Sequence, residues 1–312
     1  CVLNNSIKKI EQILIDYKNV QKESLEINVM FVNSNVKRKN KKFKGYMANI
    51  SKDDIMPVVQ TSMDNIEKEV KKNDFSNYDF EVSDNKKTYI IEEKNVFFSK
   101  DIIEEITLEQ NNFNTIGDLV NFEKLNFVVI QVYFNNKKLY LFSRYIHPGK
   151  ALKNTYKYTL NSKKPKLIKD DILTISSYVD AFLYDGSYFI FNEPNFRKIF
   201  KFDEAYKKLV DLNKEKIKYI FTKETSFIED CIKDGRYLPR LAKLLNSDIL
   251  KNIDKDKVKH VISFHKLQLN TDSSGLIEYE NKSNIPLILN LFLDHYVITS
   301  LTQEKKVAKA FE

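Results

Sequence analysis

The chain has 312 residues, 42% hydrophobic and 30% charged, with 51 Lys and Arg against 43 Asp and Glu for a formal net charge of +8. That balance suits a soluble globular protein of one or two domains. Six glycines and six prolines exclude a long flexible linker of that composition, and no apolar run reaches the ~18 residues that cross a bilayer.

The basic excess favours a nucleic-acid or anionic-surface partner. The abundance of Lys, Asn, Ile and Glu also suggests a low-GC genome, which inflates lysine. Cys1 and Cys231 stand far apart, which fits a reducing compartment and no zinc site. Cys1 reads as the first residue of a truncated or processed chain.

In chain order, Leu3, Ile7, Ile10, Leu14 and Tyr17 predict an amphipathic opening helix. Leu25–Val32 and Gly45–Ile50 predict a hairpin with a basic turn. Ser51 opens a helix to about Lys71, with Pro57 placed in its first turn. Asn73–Lys87 reads as loop, and Thr88–Ile91 and Val96–Phe98 as short strands or extended chain. Phe98–Glu109 and Asn114–Leu119 carry short helical signals. Phe127–Phe134 and Lys138–Tyr145 predict a hairpin turned by Asn135-Asn136, and Leu160–Leu167 a smaller one.

The densest apolar run, Val179–Phe202, predicts a β-hairpin turned by Asp185-Gly186 and feeding two helices. Pro194 sits in the first helix, where Phe196, Ile199 and Phe200 share a face, and Asp203 caps the second. Both strand faces should be core. Beyond it, helices are expected over Asp203–Lys218, from Ser226, and over Pro239–Leu245 and Ile285–Leu293. Strands are expected at Val261–Leu269, Leu276–Tyr279 and Val297–Leu301, before a helical tail. Strands paired as hairpins predict an α+β fold of mainly antiparallel sheets flanked by helices. Two domains are expected, residues 1–170 and 171–312.

No Gly-rich phosphate loop exists, because all six glycines are isolated. The four histidines, His147, His260, His265 and His295, show no metal-ligand pattern. His260 and His265 on one strand would point to opposite faces. No cofactor is implied. One catalytic alternative stands: Asp272, Glu280 and Lys282 form a D…ExK set of the kind that holds Mg²⁺ in restriction-type nucleases.

Three basic clusters point to phosphate contacts without sequence readout. Lys37, Arg38, Lys39, Lys41, Lys42 and Lys44 place six basic residues in eight positions. Residues 150–169 add seven lysines and no acid, among them Lys153, Lys157, Lys163, Lys164 and Lys166. Arg236, Arg240 and Lys243 lie at helical spacing around Tyr237.

Asp180-Ala181, the hairpin, Asn192, and Phe196-x-x-Ile199-Phe200 together resemble the core of the DUF4868 family, which includes KwaB of the Kiwa anti-phage system. Leu141-Phe142-Ser143-Arg144-Tyr145-Ile146-His147-Pro148-Gly149-Lys150 and the closing Tyr296–Thr302 fit the same pattern. Family members often carry an acid after the first Phe, where this chain has Arg197, a change expected to alter surface charge alone. The resemblance implies a cytoplasmic, homodimeric effector that binds DNA and interferes with phage replication or transcription. It also implies a small KwaA-like membrane protein as partner, and no established catalytic centre.

Overall fold

The computed structural model describes residues 2–35, 42–78, 88–107, 114–116, 122–147, 158–161, 164–167, 173–218, 220–247, 249–298 and 305–307. Within it the chain divides into two compact units, the first running to Phe200 and the second starting at Lys201. A boundary near residue 170 falls outside the described residues.

In the first unit, α1 (Val2–Asn19) buries Ile10, Ile13, Leu14 and Tyr17. β1 (Glu26–Asn33) pairs antiparallel with β2 (Lys44–Ala48). α2 (Lys52–Lys72) is capped by the Ser51 side chain, which accepts the Asp54 N–H at 3.2 Å. Pro57 lies one turn deeper than the sequence suggests, where its missing N–H leaves the Asp53 carbonyl without its helical partner. β3 (Phe75–Asn77), expected as loop, runs parallel to β4 (Thr88–Glu92). Residues 96–98 turn into α3 (Ser99–Thr107), and β5 (Asn114–Thr115) is strand where a helix was expected.

β6 (Phe127–Phe134) and β7 (Lys137–Arg144) form the central hairpin. Asn135 and Asn136 both have positive φ, 47° and 57°, the backbone of a type I′ turn. β8 (Tyr158–Asn161) and β9 (Lys164–Leu167) make a separate small hairpin. β10 (Ala181–Tyr184) and β11 (Ser187–Ile190) are joined by Asp185 and Gly186 at φ 47° and 72°, and β10 pairs with β7. Among the described residues nine strands form one sheet in the order β3-β4-β11-β10-β7-β6-β1-β2-β5. Its ladder is antiparallel except at the two outermost pairings. The fold class is therefore the expected one, α+β with hairpin-built, mainly antiparallel pairing.

Both faces of this sheet are covered, which explains why β6 is a nearly continuous apolar run rather than an alternation. Val29, Phe31, Ile130, Val132, Leu141, Phe182 and Phe189 join α1 and α2 in one core. On the other face, Phe142 and Tyr188 meet Phe196 and Phe200 of the α4 segment (Glu193–Ile199 and its cap), with ring centroids 4.9–5.7 Å apart across the sheet. The one polar intruder in β6, buried Gln131, donates to the Ile106 carbonyl at 2.7 Å and accepts from Tyr133. Tyr188 is fully buried, and its hydroxyl meets that of Ser99 at 2.7 Å.

Asp180 ties these layers together. Its N–H donates to the Phe142 carbonyl, and its own carbonyl accepts from Phe191 and Asn192. Its carboxylate accepts the Arg144 N–H at 2.6 Å and the Asn195 amide at 2.9 Å. Asn192 caps α4 by accepting the Asn195 N–H at 3.1 Å. Burial is the largest influence on the Asp180 carboxyl and raises it above its ordinary 3.8, against the lowering pull of Asn195 and Arg144.

The second unit is mostly helical: α5 (Phe202–Asn213), α6 (Glu224–Lys233), α7 (Leu238–Asn246), α8 (Lys255–His265) and α9 (Asn284–Phe292). Its core stacks Phe221 on Phe227 at 4.8 Å, with Phe292 and Tyr279 edge-on. Asp203 does not cap α5. The helix starts at Phe202, two residues before Glu204, and its N-cap is Lys201, in a left-handed backbone with φ 50°.

The strand expected at 261–269 is largely the helix α8, capped by the Asp254 carboxylate on the Asp256 and Lys257 N–H groups. Only Ile262 of that helix is buried, with Val258, Val261 and His265 part-buried beside it, so its helical stripe is short and competes with the apolar alternation of residues 261–269. β12 (Asn270–Thr271) pairs β13 (Ile277–Glu278), and β14 (Tyr296–Ile298) pairs β15 (Lys305–Val307) where a helical tail was expected.

Two stability predictions follow from this packing. Tyr188→Phe removes only the hydroxyl bond and lowers unfolding free energy by about 1 kcal/mol. Tyr188→Ala opens the aromatic cluster and lowers it by about 3–5 kcal/mol. Denaturant titration distinguishes them, and equal losses would place the stabilisation in the hydroxyl.

For Asp180, the folded carboxyl holds a proton above pH 3.8 that the unfolded one has released. Its contribution to stability therefore falls as pH rises from 3.8 through the raised value. The stability of wild type minus that of Asp180→Asn should shrink across that window and then level off. A difference that grows with pH would overturn the assignment.

Candidate nucleic-acid interface

The register of the sheet brings the end of β1, the start of β2 and the end of β7 together, where the chain leaves toward two of the lysine-rich segments. Asn33 faces Lys44 across β1 and β2, Val32 faces Phe127 across β1 and β6, and Phe127 faces Arg144 across β6 and β7. The basic turn therefore leaves β1 and re-enters β2 at the same end where β7 finishes and runs on toward residues 150–169. Phe43 anchors that turn: it is buried, 6.0 Å from Phe98 and 6.4 Å from Phe127, ring to ring. Lys42 and Lys44 are half-buried, each with its ammonium over an aromatic face, Phe98 at 4.2 Å and Tyr46 at 4.8 Å.

Lys37, Arg38, Lys39, Lys41, Lys153, Lys157 and Lys163 lie outside the described residues. Lys164 and Lys166 stand on β9 opposite Asn161 and Thr159.

The third cluster does not present three free cations. Arg236 clamps the Asp234 carboxylate through two side-chain bonds, at 3.0 and 2.6 Å, which holds that carboxyl down at about 2. Arg240 turns toward Asn290, donating at 2.6 Å, with His295 Nδ1 3.5 Å away. Lys243 is exposed. Arg236 lies in the turn before α7, so only Arg240 and Lys243 stand on the helix, and α7 buries most of its length, including Leu241, Ala242, Leu244 and Leu245.

The acidic alternative is dispersed into local bonds. Asp272 accepts from the Ser274 N–H, the Ser274 hydroxyl and the Leu276 N–H, and these bonds lower its carboxyl. Glu280 accepts from the Asn270 amide at 2.9 Å, and the Lys282 ammonium stands 3.9 Å from Asp230. Among the described residues no group of three His, Cys, Asp or Glu side chains could hold a metal ion. His260 and His265 flank Phe264 on α8, ring centroids 5.8 and 5.2 Å from it.

A feature not singled out from the sequence lies at the lysine-rich end. A cleft of ≈ 220 Å³ is lined by Ser34, Asn126, Arg144, His147 and Lys198, with Glu123 and an apolar wall. Arg144 ends β7, and its backbone is held by the Asp180 carboxylate. Ser34 and Tyr145 are both tied to Asn126, one to its side chain and one to its carbonyl. His147 meets the Tyr145 ring edge-on at 6.4 Å. Lys198 comes from the last turn of α4. The available signal was Arg144, a lone cation closing an apolar strand inside the motif Leu141–Lys150.

Arg197 is not merely a surface charge. Its guanidinium stands 3.8 Å from the buried Glu193 carboxylate, which also accepts the Tyr78 hydroxyl at 2.8 Å. The side chain that departs from the family pattern thus faces a buried acid.

No helix among the described residues is long and apolar enough to cross a membrane. No curated protein and no solved structure matches the chain. The family described as Kiwa protein KwaB-like matches residues 122–302, more than half of the sequence, including β6, β7, the Asp180 hub and every lining residue of the cleft except Ser34. The chain belongs to the KwaB-like family.

Proposed function

We propose that this protein is a DNA-binding effector of Kiwa anti-phage defence that engages the phosphate backbone largely without sequence specificity. Membership of the KwaB-like family implies the defence role. The observation that carries the DNA reading is that β1 and β7, separated by β6 in one sheet, end on the same side, where the chain leaves toward two lysine-rich segments. Lysines held there act on one ligand together, and each phosphate they neutralise releases condensed counterions. The same reading takes the protein as a homodimer working beside a small multi-helix membrane protein. Both expectations rest on the family, and a neighbouring gene for such a membrane protein would support the second.

The test is a mobility-shift titration of duplex DNA across salt. Affinity should fall steeply, on the order of 10³-fold or more between about 50 and 200 mM salt if six or more phosphates are neutralised. Replacing Lys37, Arg38, Lys41 and Lys42 with Glu should weaken binding evenly across unrelated sequences and reduce the salt slope by roughly one for each lost contact. Binding absent at low salt, or indifferent to salt, would sink the reading. An unchanged quadruple variant would move the interface to residues 150–169.

A further inference from the structure

We propose that the cleft at the end of β7 binds a phosphate monoester. At ≈ 220 Å³ it is smaller than the ~300 Å³ at which drug-sized pockets begin, so it suits one compact group rather than a whole ligand. Its polar lining is rich in donors. Arg144 supplies a planar fork that matches phosphate oxygens, and Lys198 a mobile ammonium. Both are exposed, and Arg144 also exerts an electrostatic pull on the Asp180 carboxyl that its backbone N–H binds. The Arg144 guanidinium makes one long contact, 3.5 Å to the Asn195 side-chain oxygen. Asn126 has its side-chain oxygen occupied by the Ser34 N–H at 2.8 Å, which leaves its two amide hydrogens to donate. Ser34 and His147 add a hydroxyl and an imidazole.

The frame beneath is fixed before any ligand arrives. The Arg144 N–H is held by Asp180, while Asn126 is bonded to Val32, Ser34 and Tyr145. A group with three terminal oxygens and close to two negative charges uses such a convergent set better than a backbone diester does. A diester carries one charge and must also leave the cleft on both sides, against a lining whose apolar part is Leu125, Tyr145, Ile146 and Ile199. Glu123 opposes the ligand as the one acid in the lining.

Two sources carry this chemistry: the 5′ end of a nucleic-acid strand and a free nucleotide. The strand-end case rests on the DNA-binding reading, and the free-nucleotide case does not. The experiment measures binding of inorganic phosphate, adenosine monophosphate, and one oligonucleotide with and without its 5′ phosphate.

A strand-end site makes the phosphorylated oligonucleotide bind roughly 10- to 100-fold more tightly than its 5′-hydroxyl twin, the scale of a few charge-assisted hydrogen bonds. Lys198→Gln and Arg144→Gln should each bring that ratio toward one, and Glu123→Gln should raise it. A free-nucleotide site binds adenosine monophosphate with the same dependence on Lys198, Arg144 and Glu123, and gives an oligonucleotide ratio near one. All three substituted side chains are exposed, and matching thermal unfolding of the variants keeps a folding defect from imitating lost binding. If neither small anion binds and the 5′ phosphate makes no difference, the proposal is overturned, while salt-dependent DNA binding is untouched. If the small anions bind and no oligonucleotide does, the cleft stands and the DNA reading falls.

Discussion

The buried carboxylate of Asp180 is the contact on which the first unit depends. One residue joins β7, β10, β11 and the start of α4: its backbone extends the β7–β10 pairing and receives the chain leaving β11, and its side chain fixes Arg144 and Asn195. A carboxylate in so dry a place is tolerated only when its oxygens are satisfied, and here each oxygen has a donor. Burial still wins over those bonds, because the carboxyl is raised rather than lowered. The hub fixes geometry through four hydrogen-bonded partners, Arg144, Phe142, Asn195 and the chain leaving β11. It sets where β7 stops, and so where Arg144 and the chain toward the lysine-rich segment begin.

Around that hub, packing supplies the energy. The hairpin β10–β11 sends Phe182 and Phe189 to one face and Tyr188 to the other, so a short unit contributes to both cores. Aromatic pairs at these separations add about 0.5–1.5 kcal/mol each beyond their buried area. A sheet covered on both faces has its free surface at the strand ends. There the ladder stops, polar side chains such as Ser34 and Asn126 finish the backbone bonding, and cations can reach solvent. Core packing and candidate binding surface are thus consequences of one arrangement.

The hairpins were legible because their turns are chemically specific. Asn135-Asn136 and Asp185-Gly186 are residue pairs that accept positive φ, and the flanking apolar runs leave little choice of partner. The family motif was legible for a related reason, since Asp180 and Asn192 are polar residues in apolar surroundings and the fold has a use for each.

The helix α8 was not legible, because its apolar stripe is short, Val258, Val261 and Ile262, and its cap, Asp254, is one acid among many. The cleft was hidden differently: Ser34, Asn126, Arg144 and Lys198 come from four places in the chain, and only the sheet register brings them together. Arg236 shows the opposite error. Its charge was visible in the sequence, whereas the bond it makes to Asp234, two residues earlier, appears only in the fold.

Net charge therefore measures binding capacity poorly in this protein. Of the cations in the third cluster, one is clamped on a carboxylate and one is turned to Asn290 and His295, although all three contribute equally to the excess of +8. Lys42 and Lys44 rest on rings that help fix where the basic turn returns to the sheet. What separates a lysine-rich coding bias from an interface is whether the cations share a rigid origin. A diffuse set attracts any polyanion weakly and is screened by salt beyond about 10 Å at 0.1 M. β1 and β7 end on the same side of one sheet, with β6 between them, so the segments that leave them start from one frame. Anchored by Phe43 and the Asp180 hub, the end of this sheet supplies that rigid origin.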